Sequence, residues 1–277
     1  MTLAFSFSPT SRLALVGAGK MGGALLKGWL DNGLDKRSVL VVDPAPPPDS
    51  VDFLAQAGIS VHPSVPGGAT AKVIVIAVKP QIIADVLPAL RPLIGRDTIA
   101  LSIAAGTTLK QLGAGVGDIA VVRSIPNTPA QVGRGITVAI ANPRVDKAAQ
   151  ALVTTLLEAV GEVVWVDKEG MIDSATAVSG SGPAYVFHMV EALAAAAVSV
   201  GFDKTAAEKL ARATVEGAGE LLYQSDLGAD VLRQNVTSPK GTTAAALKVL
   251  MARGGGLTPL MKKAVAAARK RSRELAK

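Results

Sequence analysis

The sequence predicts an α/β Rossmann fold, with a doubly wound and mostly parallel sheet, followed by an all-helical domain. Short apolar runs alternate with helical stretches in the first part of the chain, as in sheets built from successive βαβ units. A G-x-G-x-x-G pattern follows the first of these runs, and no strand pattern occurs after Asp167. These observations place one domain at residues 1–167 and a second, helical domain at residues 168–277.

Strands of the first domain are predicted at runs of aliphatic residues. Nearly continuous apolar runs are typical of parallel strands that are buried on both faces of a sheet. The predicted strands are Leu13–Val16, Val39–Val42, Val73–Val78, Ile99–Ile103, Ile119–Val122, Ile136–Ile140 and Glu162–Val166. The predicted helices are Gly22–Asp31, Val51–Ala57, Gln81–Leu90 and Lys147–Val160.

The second domain shows helical patterns alone. They are Glu169–Val178, Pro183–Val200, Lys204–Ser225, Gly228–Val236, Thr243–Arg253 and Thr258–Leu275. The pattern at Pro183–Val200 is hydrophobic nearly all round, and such a helix is stable only where several of its sides are covered. A domain of about 110 residues has little interior to cover it. The sequence therefore predicts that a second copy of the chain does so, in an interlocked homodimer.

Composition excludes several classes of site and partner. The chain has no cysteine, which rules out disulfides, thiolate catalysis and cysteine-bound metals. It has two histidines, so a histidine-rich metal site is excluded and no metal is expected. The net charge of +7 could suggest nucleic acid. Much of this charge falls on the wet face of the last predicted helix, so no nucleic-acid partner is expected.

The chain carries no pattern that predicts export or membrane insertion. Met1–Ser11 has neither a basic start nor a long apolar core, so no signal peptide is expected. The apolar stretch Pro183–Val200 is mostly alanine and contains His188 and Glu191, which favours a buried helix over a membrane span. A cytoplasmic location is expected.

The first predicted strand runs into a nucleotide-binding glycine pattern. Gly17 permits the tight turn, Gly19 lets the backbone approach a pyrophosphate, and Gly22 lets the helix pack closely on the strand. Asp43 ends the next strand, where it could accept hydrogen bonds from the adenine ribose or simply start the turn at Pro44. This context predicts that a dinucleotide binds at Gly17, Ala18, Gly19, Lys20, Met21 and Gly22, with Asp43 at its ribose.

Further candidate loops follow strands at the edge where parallel sheets bind ligands. Val78–Pro80 follows one predicted strand, and Ala104 and Ala105 follow the next. Lys79 could supply positive charge beside the coenzyme. Asn127, in a rigid loop after a further strand, could orient a nicotinamide or simply hold the turn.

The segment Val236–Thr243 places a glycine and two adjacent hydroxyls at the start of a predicted helix. A helix start exposes unpaired N–H groups, and the helix dipole also favours negative charge there. The segment is thus predicted to bind a small carboxylate, through Ser238, Gly241, Thr242 and Thr243. The alternative is an ordinary N-cap, with an effect of about 0.5–2 kcal/mol on stability.

Together, these motifs resemble those of the pyrroline-5-carboxylate reductase family. The matching segments follow the family's order, and the last two are the most specific. They are Gly17–Gly22, Val78–Pro80, Ser102–Gly106, Pro126–Pro129, Ser179–Tyr185 and Ser238–Thr243. The resemblance implies reduction of 1-pyrroline-5-carboxylate to L-proline, the last step of proline biosynthesis, with NADP(H) or NAD(H). It also implies a Rossmann domain, a helical dimerisation and substrate domain, and assembly of dimers into larger rings.

The resemblance implies roles for individual residues as well. Asn235 would lie near the nicotinamide carboxamide. Thr242 and Thr243 would lie at the substrate, with Glu169 close to it, so Thr243 and Glu169 are the candidates for catalysis. Ser64 stands where the family often has an asparagine that contacts the nucleotide, which together with Asp43 leaves the coenzyme preference open.

The chain departs from the family pattern at three further positions. Lys240 replaces one of the two glycines of the usual Ser-Pro-Gly-Gly sequence, Asp226 stands where glutamate is common, and Ile125 stands where methionine is frequent. The change at Lys240 leaves the detailed geometry of the carboxylate loop open.

The expected chemistry needs few side chains. Solvent can protonate a cyclic imine before it binds, so hydride transfer requires no side-chain acid. Catalysis would rest mainly on holding the ring against the nicotinamide, a contribution that can reach roughly 7–11 kcal/mol. The Thr243 hydroxyl would accept a hydrogen bond from the ring nitrogen.

Two other functions are compatible with the same architecture. A β-hydroxyacid dehydrogenase would normally have a lysine where Tyr185–Leu193 has none, and an imine reductase with another substrate also remains possible. A dinucleotide sensor without catalysis is disfavoured by the intact Ser238–Thr243 segment.

Overall fold

The computed structural model describes Phe5 and residues 7–275, which form an eight-stranded sheet and a set of helices. Of the lead in which no signal peptide is predicted, Met1–Ala4 and Ser6 lie outside the described residues. The strands are β1 Arg12–Val16, β2 Val39–Val42, β3 Val61–His62, β4 Ala71–Ile76, β5 Ile94–Ser102, β6 Ala120–Ile125, β7 Gly135–Ala141 and β8 Gly161–Trp165. The helices are α1 Lys20–Asp31, α2 Pro48–Ala57, α3 Ile83–Ala89, α4 Leu109–Val116, α5 Lys147–Glu158, α6 Gly170–Ala175, α7 Gly182–Ser199, α8 Lys204–Gln224, α9 Ala229–Asn235, α10 Thr242–Leu250 and α11 Leu257–Leu275.

The sheet is doubly wound and mostly parallel, as the sequence predicts. Its strand order is β3-β2-β1-β4-β5-β6-β7-β8, and the chain reverses direction along the sheet between β1 and β4. All neighbouring strands are parallel except β6 and β7, which are antiparallel. The connection between those two strands is a single 3₁₀ turn, Thr128–Val132. So short a link cannot make the crossover that parallel strands need.

Two elements of the sheet domain were not predicted from the sequence. Strand β3 has two residues, too few for an apolar run to stand out. Helix α4 contains Gly113 and Gly115, which weaken its helical pattern. It starts with a capping box, in which the Thr108 side chain accepts from the backbone N–H of Gln111 and the Gln111 side chain accepts from that of Thr108.

Alternate residues of the central strands enter two hydrophobic cores, one on each face of the sheet. Leu13 and Leu15 of β1 belong to a core with Trp29 of α1 and helix α5. Ala14 and Val16 belong to the other core, with helices α3 and α4. Because both faces are covered, the parallel strands are apolar at nearly every position.

The chain divides into two compact units. The first comprises the described residues up to Gly180 and those from Arg269 onward, and the second is Ser181–Ala268. The predicted boundary after Asp167 precedes this division and stays a prediction, because a functional domain need not end where a compact unit does. Between α6 and α7 the backbone forms a π-helical turn, Thr176–Gly180. The predicted helix Glu169–Val178 is therefore α-helical only as far as Ala175 and continues into this wider turn.

The second unit is entirely helical and buries little of its own surface. Helices α7 and α8 pack against each other, and the buried apolar residues of Ser181–Ala268, a range the structure describes in full, are Ala207 and Ala211. Helices α7, α9 and α10 contain no buried residue. Within the described residues, no helix has both the length and the apolarity to cross a membrane.

Candidate active site

The predicted glycine turn lies between β1 and α1, and each glycine has a distinct steric reason. Gly17 has φ +95°, and a Cβ there would come within 2.7 Å of the Ala77 carbonyl oxygen. A Cβ on Gly22 would overlap the carbonyl oxygen of Gly17. Among the described residues, apart from its chain neighbours and its own helix backbone, no atom lies within 4 Å of the position of a Cβ on Gly19, so the backbone there is open to a ligand. The three positions match the turn, packing and approach roles of a dinucleotide-binding loop.

The amino end of α1 can receive an anion. Gly19 is its N-cap, and among the described residues no side chain caps the first turn. Ala18 is buried behind this turn, whereas Lys20 is exposed and Met21 is half-buried. An uncapped helix start offers backbone N–H groups to a phosphate. These residues therefore fit the pyrophosphate of a dinucleotide.

Asp43 connects the glycine turn to the end of β2. Its Oδ2 accepts a hydrogen bond from the backbone N–H of Ala18 at 2.7 Å, and its Oδ1 accepts from Ala45 at 2.9 Å. The contact with Ala45 is the turn-starting role that the sequence left as an alternative. A carboxylate oxygen can accept two hydrogen bonds, so each oxygen retains capacity for a ribose hydroxyl.

Ser64 is brought to the same edge by the short strand β3. His62 pairs with Val42 of β2, and the carbonyl of His62 accepts from the N–H of Asp43 at 2.9 Å. Ser64 follows two residues later and is exposed. The structure thus places Ser64 and Asp43 at the ends of adjacent strands.

The loops after β4 and β5 continue this edge. The Ala77 N–H donates to the carbonyl of Val16, and the Ile103 N–H donates to that of Ile76. Within these loops, Lys79, Pro80 and Ala105 are exposed, Val78 is half-buried and Ala104 is buried. The loops predicted to bind the coenzyme therefore follow adjacent strands, beside the point where the chain reverses direction, and such a point is the usual ligand site of this fold.

Asn127 holds the loop that follows β6. Its Oδ1 accepts from the Ile136 N–H at 2.9 Å, and its Nδ2 donates to the Ser179 carbonyl at 3.2 Å. The side chain is 9% exposed. These partners give Asn127 the turn-holding role that the sequence left open, and its contact with a nicotinamide stays a prediction.

Glu169 joins three elements of the first unit. Its Oε1 accepts from the backbone N–H of Leu109, the first residue of α4, and from Nη1 of Arg123, both at 2.7 Å. The Arg123 side chain is 4% exposed and that of Glu169 is 34% exposed. Within the described part of the chain, Nε of Arg123 has no hydrogen-bond partner. One oxygen of Glu169 is thus committed to holding β6, α4 and the start of α6 together.

Arg123 is a residue that the sequence analysis missed. Its signal is a charged residue inside the mostly apolar strand β6, Ala120–Ile125. A buried charge requires a partner, so this position could have been flagged. The sequence does not identify Glu169 as that partner, because only the fold brings the two residues together.

The predicted carboxylate-binding segment lies in the second unit, between α9 and α10. Gly241 is the N-cap of α10, and among the described residues no side chain caps this helix. The N-cap is thus a glycine, with no side-chain hydrogen bond from the described residues to the first-turn N–H groups, and carboxylate binding there, rather than an ordinary N-cap, stays a prediction. Thr243 is half-buried beside them, and Thr242 and Ser238 are exposed.

The backbone around Gly241 explains two sequence features. The Gly241 N–H donates to the carbonyl of Ser238 at 3.1 Å, and a Cβ on Gly241 would overlap the Ser238 hydroxyl oxygen. Lys240 has φ +59°, the one positive value among the described non-glycine residues. This is the left-handed region that glycine adopts easily, so the chain retains the turn without the glycine. Asn235 ends α9 and is exposed.

A cleft of about 520 Å³ lies at the opposite, amino-terminal edge of the sheet. Its lining carries both signs of charge, from Lys72, Arg96, Arg144, Asp97, Asp118 and Asp146. None of the predicted site residues lines this cleft, so it lies outside the candidate active site.

Two family models match the chain. One is described as pyrroline-5-carboxylate reductase dimerisation and matches residues 169–275. The other is described as NADP oxidoreductase, coenzyme F420-dependent, and matches residues 12–106. The two matched ranges contain the predicted acid-binding segment and the glycine turn, respectively.

Similar proteins match over nearly the whole chain. A pyrroline-5-carboxylate reductase from Pseudomonas aeruginosa is 38% identical over 269 residues, which cover 96% of this chain and 97% of that protein. The structure of a pyrroline-5-carboxylate reductase from Coxiella burnetii is 37% identical, with a TM-score of 0.89 over 97% of this chain and 99% of the other. That of Plasmodium falciparum pyrroline carboxylate reductase with NADP bound is 28% identical, with a TM-score of 0.78 over 97% and 99%.

Proposed function

The chain belongs to the pyrroline-5-carboxylate reductase family, and we propose that it reduces the C=N bond of 1-pyrroline-5-carboxylate to give L-proline. The coenzyme is NADP(H) or NAD(H), the enzyme is a homodimer, and its place is the last step of proline biosynthesis. The observation that carries the proposal is the pair of uncapped helix starts, one at the glycine turn and one at Gly241. We also propose a cytoplasmic location and assembly of dimers into larger rings.

The first unit supplies the coenzyme site. The residues fit the group, because Gly19 is sterically open, the start of α1 is uncapped and Asp43 retains acceptor capacity. When bound, the reduced nicotinamide supplies the hydride. We assign the pyrophosphate to Gly17–Gly22, the adenine ribose to Asp43 and Ser64, and the remaining half to the loops at Val78–Pro80, Ala104 and Ala105. Asn127 and Asn235 are proposed near the nicotinamide.

The second unit supplies the acid-binding site. At the start of α10 the Gly241 N–H already donates to the Ser238 carbonyl. The N–H groups of Thr242 and Thr243 therefore bind the substrate carboxylate, with Gly241 and the Ser238 hydroxyl beside them. This contact fixes the orientation of the ring, which determines the carbon that accepts the hydride. The Thr243 hydroxyl accepts a hydrogen bond from the protonated ring nitrogen and donates to the amine once it forms.

We place Glu169 close to the substrate, but without a role as proton donor. Its Oε1 already accepts from Leu109 and Arg123. The oxygen that can face the substrate is therefore Oε2. The proton of the ring nitrogen comes from solvent before binding, so the mechanism requires no proton from Glu169.

The activity is tested by following coenzyme oxidation with 1-pyrroline-5-carboxylate, using NADPH and NADH separately. Turnover is expected with the imine, and no reduction of NADP⁺ or NAD⁺ is expected when 3-hydroxyacids are supplied with the oxidised coenzyme. Turnover with 3-hydroxyacids instead of the imine would contradict the assignment.

The role of Thr243 is tested by Thr243→Ala, with Thr258→Ala near the start of α11 as a matched control. Loss of a hydrogen bond made to the reacting group is expected to lower kcat/KM by roughly 10²-fold. Thr243→Ser should retain most of the activity, and Thr258→Ala all of it. An unchanged kcat/KM in Thr243→Ala, with a lowered melting temperature, would show that Thr243 has only a structural role.

A further inference from the structure

The last turn of helix α11 contacts the edge of the first unit that holds the candidate coenzyme loops. Helix α11 begins among residues of the second unit, but its residues from Arg269 onward belong to the first. The Ser272 hydroxyl donates to Oδ1 of Asp173, on α6, at 2.9 Å. These two residues are 99 positions apart in the sequence. The last turn of α11 is thus held to α6 by a hydrogen bond to a charged group, the stronger kind.

The same turn also lies against Gly106. A Cβ on Gly106 would be 3.4 Å from the Leu275 carbonyl oxygen and 3.9 Å from its carbon. Gly106 has φ +77°, the left-handed conformation that glycine adopts readily. It closes the loop that follows β5, in which Ala104 and Ala105 are candidate coenzyme residues. The last turn of α11 therefore contacts both α6 and the end of this loop.

The two ends of the β5 loop are held differently. At its start, the Ile103 N–H donates to Ile76 at 3.1 Å, and the Ala104 N–H donates to the Ser102 hydroxyl at 3.3 Å. Its end at Gly106 has the backbone freedom of glycine and the Leu275 carbonyl as a neighbour. Helix α6, which carries Asp173, is itself anchored in the first unit, because the neighbouring Ile172 is 2% exposed in a hydrophobic cluster.

The position of this loop in the sheet tells which half of the coenzyme it would receive. Strand order runs β2-β1-β4-β5, with Asp43 after β2 and the glycine turn after β1. A dinucleotide with its adenine ribose at Asp43 and its pyrophosphate at the glycine turn extends toward the loops after β4 and β5. The β5 loop is therefore on the nicotinamide side.

We propose that the last turn of α11 is a positioning element of the coenzyme site, which holds the loop Ala104–Gly106 in the shape that receives the nicotinamide half. Ser272 and Leu275 act through Asp173 and Gly106. This inference rests on the proposed coenzyme role of Ala104 and Ala105. It assigns to the end of the chain an effect on coenzyme affinity that is separate from binding of the substrate acid.

The test compares two C-terminally truncated variants with the full-length chain. Truncation after Arg271 removes both contacts, whereas truncation after Leu275 keeps both and is the matched control. The measured quantities are the Kd of NADPH without substrate, by coenzyme fluorescence, and the KM values for both reactants. Truncation after Arg271 is expected to raise the Kd of NADPH about tenfold, within the range of changes that act through an intervening residue. The KM for 1-pyrroline-5-carboxylate and the Kd of the control should stay unchanged.

A pair of point variants keeps the proposal testable if the shorter chain does not fold. Ser272→Ala is expected to raise the Kd of NADPH about threefold, and Ser272→Thr, which keeps the hydroxyl, should restore it. A purely structural role would lower the melting temperature and leave the Kd unchanged at temperatures where the protein is folded. That result, or an equal rise in the KM for the imine, would overturn the proposal. Absence of imine reduction with normal NADPH binding would count against the proposed function alone.

Discussion

In the first unit, Leu13, Leu15 and Ile74 are completely buried by the chain itself, whereas in the second unit α7 leaves Phe187 63% exposed. The two regions are similarly rich in apolar residues, so the difference lies in what covers them. The strands of the first unit are covered on both faces by helices of the same chain. The apolar helix α7 has no buried residue.

The two regions therefore depend on different contacts for their stability. The core of the first unit is formed within one chain, so its fold depends on internal packing. The exposed apolar side chains of the second unit, Val186, Phe187, Met189, Leu193 and Val198 among them, need a partner surface. We expect the dimer to supply it, so the helical unit should be stable only at protein concentrations where the dimer forms.

The largest effect is expected at Gly22, inside the packed sheet unit. Gly22→Ala places a methyl group against the backbone oxygen of Gly17, which no rotamer change can relieve. The expected loss is about 3 kcal/mol or more of unfolding free energy, the upper range for overpacking. Denaturant unfolding measures this loss. The affinity for NADPH should fall as well.

Gly19→Ala is the matched control for this change. The site of its Cβ is empty, so the folded state should tolerate the methyl group while NADPH affinity falls, because the pyrophosphate can no longer approach. Equal stability of the Gly19→Ala and Gly22→Ala variants would show that the packing explanation is incorrect.

The next largest effect is expected at the Arg123–Glu169 pair, also within the first unit. Glu169→Ala leaves the buried Arg123 guanidinium without its carboxylate. Breaking a fully buried pair costs about 3–5 kcal/mol, and because Glu169 is 34% exposed we expect about 2–3 kcal/mol. The loss should appear in unfolding experiments, while the dimer dissociation constant stays unchanged.

A second variant at this position separates structure from catalysis. Glu169→Gln keeps an oxygen that can accept from the Leu109 N–H but removes the charge. If Glu169 transfers no proton, the pH dependence of kcat should keep its shape in this variant. Loss of one limb of the pH profile would instead make Glu169 an acid or base in the reaction.

The comparison also shows what the sequence can predict. The candidate coenzyme loops were predictable because parallel strands end at a common edge, so Gly19, Asp43 and Ala104 had to lie along it. Contacts between distant residues were not predictable, because Arg123 meets Glu169 and Ser272 meets Asp173 only through tertiary packing. The antiparallel direction of β7 was not predictable either. It results from a turn too short for a crossover, and an apolar run does not indicate the direction of its strand.

A smaller effect, on dimer association rather than on folding of the first unit, is expected on the surface of α7. Phe187→Glu places a charge among apolar side chains that we expect the dimer to cover. We expect a loss of about 2 kcal/mol of association free energy, or a roughly 30-fold weaker dimer, typical of a central interface residue. Sedimentation at several concentrations measures it. Val132→Glu, at a residue of the first unit that is 75% exposed, is the control and should leave the dimer intact.

The smallest effect is expected at Asp35, a residue before β2 whose side chain is 39% exposed. Hydrogen bonds from the side chain and backbone of Arg37 hold the pKa of the Asp35 carboxyl below its usual value. A lowered folded-state pKa contributes stability that is present above the unfolded-state pKa and is lost as the pH falls through the folded-state pKa. Asp35→Asn keeps a side chain that can cap the 3₁₀ turn but removes this contribution. The melting temperature of the variant should therefore fall slightly below that of the wild type at pH 7, and the difference should shrink only as the pH drops below the usual range of an aspartate. Because this contact lies wholly within the first unit, the shift should be independent of protein concentration, unlike the shift caused by Phe187→Glu.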